Sequence, residues 1–361
     1  MLKTTPAVFA VETNYQIMVS TTQAALFSVR VGDEEYFDES NGIMRSLSDL
    51  HRVTVPTAVL DAAKAYTVCV RPLIERKPYF TETEPLWEQT FRFDPLPTEN
   101  VRAYHIADAH NRRTWPTAAA KAFGDIDLLI LNGDVINHSG DPSKFDNIYD
   151  ICERLTGGSK PVVFSRGNHD MRGNYAERFA DYTPNANGMT YYTFRVGGIW
   201  GGLLDCGEDK ADDHAEYGYT VACRQFRQRQ TAFLRRVIEN KEREYAAPGV
   251  THRLIVSHVP FTTRFGEPFN IEEDTYTEWA RMLREEIKPD LMLCGHVHQI
   301  GVWEQGGAKD QFGQPCTVVV GARPEKERWI GCGFTFGKDE IKVTFTDSNG
   351  IILEEKTVEK P

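Results

Sequence analysis

The chain has 361 residues, with 41 Lys and Arg against 52 Asp and Glu, a formal net charge of -11. That length exceeds what one hydrophobic core usually organises, so two domains are expected. The acidic balance excludes a protein built to lie along a phosphate backbone, because counterion release needs clustered Lys and Arg; no nucleic-acid partner is expected.

The first fourteen residues contain one lysine and no apolar run long enough for a signal-peptide core or a spanning helix. A soluble, cytoplasmic protein without a membrane partner is the expectation. The seven cysteines are scattered without a C-x-x-C spacing, which suits reduced thiols.

From Ala7 to about Phe93 the apolar residues alternate in short runs: Tyr15, Ile17, Val19; Phe27, Val29, Val31; Tyr66, Val68, Val70; Phe91, Phe93. Period two is the pattern of strands with one buried face. Turn formers separate the runs, among them Gly32-Asp33, Ser40-Asn41-Gly42 and Pro56. About seven short strands predict an all-β sandwich, of fibronectin type III kind, over residues 1–96. Asp94-Pro95-Leu96-Pro97 stops the last strand, since proline lacks the N–H that a ladder needs, and places the domain boundary there. No titratable cluster precedes it, so this domain is read as a structural module.

Over residues 97–361 the pattern changes. Apolar runs at Val101 to Ala107, Leu128 to Leu131, Pro161 to Phe164, Leu254 to Val256 and Leu291 to Leu293 alternate with helical segments, as in an α/β domain. Phe145, Ile148, Cys152 and Leu155 mark one helix face, and Phe226, Phe233, Leu234, Val237 and Ile238 another. After the last apolar run come strand-like pieces ending near Leu353, with Lys356 to Pro361 expected to fray.

Each apolar run ends in a polar cluster, which is where α/β sheets place their sites. In order these are Asp108-Ala109-His110, Gly133-Asp134, Gly167-Asn168-His169-Asp170, His258 and Gly295-His296-Val297-His298. Carboxylates and imidazoles together suit borderline divalent metals, and a carboxylate can bridge two ions whereas imidazole cannot. Asp134 is the expected bridge. So many donors exceed what a single ion needs.

These five motifs, in this order, resemble the calcineurin-like metallophosphoesterase family over about residues 101 to 345. The resemblance implies a four-layer α/β/β/α domain. It implies one metal held by Asp108, His110, Asp134 and His298, a second held by Asp134, Asn168, His258 and His296, and His169 left free as general acid with Asp170 orienting its ring. Two divalent ions, Mn, Fe(II) or Zn, about 3.5–4 Å apart would generate a hydroxide nucleophile against a small-molecule phosphomonoester or phosphodiester. The sandwich-then-hydrolase order resembles purple acid phosphatases, yet Asn137 stands where those enzymes carry their metal-binding tyrosine. The Asp-Arg-Gly element of the protein Ser/Thr phosphatases is also replaced, by Val135-Ile136-Asn137. The alternative is a catalytically silent scaffold of the same fold, which would have lost ligands; none is missing.

Three arginines are candidate substrate contacts: Arg166 and Arg172 flanking the Gly-Asn-His-Asp motif, and Arg264 after His258. Each fits equally a phosphate clamp or an ion-pair partner. The acidic stretch Cys206 to His214 is either a solvated loop or a lid over the site. Phe265, Phe269 and Tyr276 either stack a ring or pack the core. His105 and His252 lie inside strand runs and are expected to be core or edge residues.

Overall fold

The computed structural model describes residues 1–39, 44 and 48–360; the expected turn at Ser40-Asn41-Gly42 lies outside the described residues. The first part of the chain forms β1 (Ala7–Val11), β2 (Asn14–Val31), β3 (Glu34–Phe37), β4 (Ser48–Pro56), α1 (Thr57–Ala63), β5 (Ala65–Glu75), β6 (Glu82–Thr83) and β7 (Trp87–Arg92). Alternation sends Tyr15, Ile17, Val19, Phe27, Val29 and Val31 into one hydrophobic cluster, together with Tyr66, Val68, Val70, Phe91 and Phe93. The 18-residue β2 pairs with β1 and β4 along its first half and with β5 and β3 along its second, with a register irregularity between Ser20 and Ala25. A strand that changes partners at a bulge is how a sheet folds over itself. Helix α1 was not anticipated, because its seven residues bury only Leu60 and leave no period to detect.

The rest of the chain runs β8 (Val101–Ile106), α2 (Thr114–Phe123), β9 (Leu128–Asn132), α3 (Asp146–Thr156), β10 (Pro161–Ser165), β11 (Thr193–Val196), β12 (Ile199–Leu204), α4 (Cys223–Glu239), β13 (His252–Ser257), α5 (Glu273–Met282) and β14 (Leu291–Cys294). It ends with β15 (Ile300–Trp303), β16 (Val318–Gly321), β17 (Arg323–Pro324), β18 (Trp329–Phe336), β19 (Glu340–Asp347) and β20 (Ile352–Glu359). One sheet has the order β20-β19-β18-β8-β9-β10, the other β11-β12-β13-β14-β16-β15. Lys356 to Glu359, expected to fray, instead pair with β19.

Four layers follow from the two faces of each strand. In β9, Leu128 and Ile130 enter the cluster between the sheets, while Leu129 and Leu131 face the cluster that holds Ala119, Ile148 and Cys152 of α2 and α3. In β13 and β14, Leu254, Val256, Leu291 and Leu293 face inward, while Ile255 and Met292 meet Leu234, Val237 and Trp279 of α4 and α5. Strands apolar on both faces are what a helix-covered parallel sheet requires.

The N-terminal strands join this framework through β1. It pairs parallel to β10 (Val8 with Pro161, Phe9 with Val162), so the first sheet continues through β1 into β2. Just beyond β1, the Glu12 N–H donates to Thr193 O at 2.6 Å and the Arg195 N–H donates to Glu12 O at 2.8 Å, which ties the same strand to β11 of the second sheet. Residues on either side of the expected boundary at 96/97 therefore share a hydrogen-bonded sheet and one inter-sheet core.

His51 of β4 is buried and stacked on Phe27 with ring centroids 5.0 Å apart, and burial lowers its pKa to about 4. The unfolded chain therefore takes up the proton first, and the associated stability is present above the ordinary histidine range and lost as pH falls toward 4. Between pH 6.5 and 4 the unfolding free energy should fall by up to about 1.4 kcal/mol per pH unit from this residue. Urea titrations of His51→Leu should show a pH slope shallower by one proton than the parent.

Candidate metal centre

The donors sit just beyond the carboxyl ends of five strands: Asp108 and His110 after β8, Asp134 after β9, Asn168 and His169 after β10, His258 after β13, His296 and His298 after β14. The loops turn sharply to aim them. Asp108, His110, Asn111, Asp134, His296 and His298 all have φ between 46° and 68°. They are six of the fifteen non-glycine residues with positive φ among the described residues. That backbone costs about 1–3 kcal/mol per residue and persists only where the surroundings enforce it. Here ladder-like bonds do so: the N–H groups of Asp108, His110 and Asn111 donate to the carbonyls of Gly133, Asp134 and Val135 at 2.9–3.1 Å. Gly133 and Gly167 meet face to face, and a Cβ on Gly167 would strike the Asp134 carboxylate.

The two central carboxylates are fully buried and gripped by amides. Asp108 accepts from the His296 N–H at 2.9 Å and Asp134 from the His169 N–H at 2.9 Å. Around them the imidazoles close in. His298 Nε2 lies 3.3 Å from Asp108 Oδ1 and 3.1 Å from His110 Nε2. His258 donates through Nδ1 to Asn132 O at 2.7 Å, which turns its Nε2 toward Asp134 Oδ2 at 3.1 Å and Asp108 Oδ1 at 3.8 Å. Those two carboxylates are the acidic groups that face this buried Nε2. On the far side, Asn168 Oδ1 is 3.0 Å from His296 Nδ1. Donor atoms converge within 4.8 Å in three sets: Asp108, His110 and His298; Asp108, Asp134 and His258; His110, Asp134 and His169.

Burial lowers His110 and His296 to about 4, so both rings are neutral at neutral pH, the form a ligand must have. Burial opposes charge on His258 as well, yet Asp134 and Asp108 carry it up to about 10. Asp134 is held below the usual carboxylate range: burial pushes it up and the adjacent His258 outweighs that. A buried cluster of carboxylates is thus balanced by a proton on one imidazole, a position that cations fit better. The residues present suit divalent metal ions.

A family model for calcineurin-like phosphoesterases matches residues 101–300, more than half of the chain and all five donor loops. The chain belongs to that family. A probable cyclic nucleotide phosphodiesterase of Rhodopseudomonas palustris, RPA0124, is 28% identical over 186 residues, covering 50% of this chain and 60% of the relative. The serine/threonine-protein phosphatase CPPED1 of Danio rerio is 23% identical over 207 residues, covering 54% and 60%. The chain therefore spans about three fifths of the curated relatives it matches. Purple acid phosphatase PPD1 from yellow lupin (Lupinus luteus) seeds has the same fold over 99% of this chain and 74% of its own, with a TM-score of 0.59 at 14% identity. No helix among the described residues is long and apolar enough to cross a membrane.

Other expectations for this site need correcting. Asp170 does not touch the His169 ring: its Oδ2 accepts from the N–H groups of Gly167 at 2.8 Å and Asp134 at 3.2 Å, and burial beside Asp134 pushes it up to about 8. The His169 ring is held instead by Asn137 O, 2.9 Å from Nδ1. A backbone carbonyl leaves no mark in the sequence, so this partner could not be foreseen. The three arginines all bind carboxylates. Arg166 pairs with Asp205 at 2.7 Å, Arg172 with Glu208 and Asp209 at 3.0 and 3.2 Å, and Arg264 with Glu273 at 2.6 Å. Tyr276 is core, packed on Phe261 and Trp279, whereas Phe265 and Phe269 line the cavity of about 250 Å³ beside His296 and His298.

The acidic stretch Cys206 to His214 is neither wholly a solvated loop nor wholly buried. Its first part, Cys206 to Lys210, is withdrawn from solvent while Ala211 and Asp213 are exposed: Arg227 of α4, fully buried, donates to the carbonyls of Cys206 at 2.7 Å and Glu208 at 3.2 Å. Gln230 brackets Asp205 by accepting from its N–H and donating to its carbonyl. This presents Asp209 to the cavity, where its carboxylate accepts from Asn168 Nδ2 at 3.3 Å. With Nδ2 so engaged, Asn168 keeps its oxygen on the His296 side.

Two outcomes are expected. Adding Mn or Zn to chelator-stripped protein should raise the melting temperature, since a ligand at about 100 times its Kd adds about 2.7 kcal/mol to the folded state; Asp134→Asn should abolish the rise in a thermal-shift assay. Arg172→Ala, which strands the buried Glu208 carboxylate and leaves Asp209 to Lys210, should destabilise by up to about 3–5 kcal/mol in denaturant melts, with Arg172→Lys recovering part of it.

Proposed function

We propose that this chain hydrolyses a phosphomonoester or phosphodiester of a small molecule with a pair of divalent cations. Asp108, His110, Asp134 and His298 would hold one ion; Asp134, Asn168, His258 and His296 would hold the other. The observation that carries the reading is the convergence of His110, His258 and His298 on two buried carboxylates, with His258 Nε2 buried 3.1 Å from Asp134 and 3.8 Å from Asp108, and the Asn168–His296 pair alongside. Mixed oxygen and imidazole donors without a thiolate suit Mn, Fe(II) or Zn. Bound there, such a pair would lower the pKa of a water and polarise the phosphoryl oxygens.

The remaining work falls to protein groups. His169 is a third exposed at the cavity wall, with Nε2 3.9 Å from Asp134 Oδ2. Donation from its Nδ1 to Asn137 O fixes the ring with Nε2 as the atom left to exchange a proton with the departing oxygen. Asp170 acts on the scaffold: it ties the Gly167 and Asp134 amides together and so fixes the loop that carries Asn168 and His169. The relatives' names cover both a diester and a monoester substrate, which supports ester hydrolysis without choosing between them. Residues 1–96 are proposed as a buttressing module whose strand β1 clamps both sheets.

The test is to strip the protein, add back Mn, Zn or Fe(II), and follow a chromogenic phosphomonoester and its diester analogue. Restored hydrolysis is expected, with His169→Ala lowering kcat about 10²–10⁴-fold at unchanged metal content. Failure to take up metal at all would overturn the reading in favour of a silent scaffold.

A further inference from the structure

The cavity beside the metal donors is lined by Asp134, Asn168, His169, His296 and His298 on one side, and by Asp209, Phe265, Phe269 and Val297 on the other. Among the described residues no lysine or arginine lines it. The nearest cations are already committed. Lys210 Nζ sits 3.0 Å from Asp209 and 2.9 Å from Glu216, and Arg172 binds Glu208, Asp209 and Glu216. Two cations facing three carboxylates leave this wall negative. A phosphoryl group on the metals would find nothing beyond it to bind a second anion.

What the far wall does offer is aromatic surface. The Phe265 ring lies edge-on to His296, with centroids 6.1 Å apart, and Phe269 is 38% exposed, which is high for so large an apolar residue. Lys210 Nζ lies over the Phe269 ring at 5.1 Å. The segment that carries both rings is pinned just before Phe265, and beyond it the Phe269 N–H closes a turn onto Gly266 O at 2.9 Å. Thr263 Oγ1 donates to Lys309 O at 2.8 Å, the Arg264 N–H donates to Gln311 Oε1, and the amides of Gln311 and Phe312 both donate to Thr262 O at 3.2 Å. An aromatic surface anchored at one end, as Phe265 is, loses little entropy when a flat group covers it.

We infer that this cavity takes a planar aromatic group attached to the phosphoryl centre, neutral or cationic, seated against Phe265 and Phe269, and that it discriminates against a second anionic group on the same molecule. The inference rests on the proposed hydrolase reading for the reaction, but on the cavity alone for binding.

Calorimetry on the metal-loaded protein separates the two. Phenylphosphonate is expected to bind about 10- to 100-fold more tightly than methylphosphonate, the range of one stacked ring. A 4-carboxy substituent should weaken phenylphosphonate binding and a 4-aminomethyl substituent should not. Phe269→Ala and Phe265→Ala should each shrink the phenyl-to-methyl ratio. Equal affinities, a ratio unmoved by both variants, tightest binding of the carboxylate or no binding of any phosphonate would overturn the inference. Aryl-selective binding without turnover of either phenyl phosphate or its phenyl methyl diester would keep the subsite and sink the hydrolase reading. Turnover of phenyl and methyl phosphates with equal kcat/KM in parent and variants would do the reverse.

Discussion

Everything in this molecule is arranged around two carboxylates that have been taken out of water. Asp108 and Asp134 lie at the carboxyl ends of adjacent strands with no solvent exposure to speak of, and ionised groups there cost several kcal/mol unless something answers their charge. Backbone amides of the neighbouring loops answer part of it, and imidazoles at 3–4 Å supply the rest of the shell. The left-handed turns, the close glycines and the covering helices are the means by which five strand ends are brought near enough to do so.

The rest of the charge on this face is spent internally. Arginines that look like anion clamps from their place in the chain are bound to Asp205, Glu208, Asp209 and Glu273, and those pairs hold loops against helices. Loop 205–209 illustrates the division of labour. Its carbonyls are fixed from behind by Arg227 and Gln230 of α4, and one of its carboxylates reaches forward to orient the amide of Asn168. Stability and site geometry are coupled through the same few polar side chains.

Much of this was legible in advance, and the part that was not has a common cause. Period-two runs and buried apolar strands are repeated signals, so the all-β start, the α/β remainder and its helices could be read directly. The five polar clusters could be assembled because each follows a strand, and strand ends are neighbours in space within each of the two packed sheets. Partner choice was illegible. Whether Arg172 meets a phosphate or Glu208, whether His169 leans on Asp170 or on the Asn137 carbonyl, depends on side-chain reach across loops, which no periodicity encodes. Helix α1 and the partner change within β2 were missed for a similar reason: a seven-residue helix and a single bulge are events, not patterns.

The pairing of β1 with β10 has a bearing on how the chain is made. Val8 finds Pro161 only after some 150 residues have followed it, and β8 waits for β18, where Val101 meets Phe336. Contacts so distant along the chain make for slow closure. During synthesis the β10 flank can close as soon as Pro161–Ser165 has emerged, whereas β8, which leads into Asp108 and His110, lacks one neighbour until Trp329–Phe336 has left the ribosome.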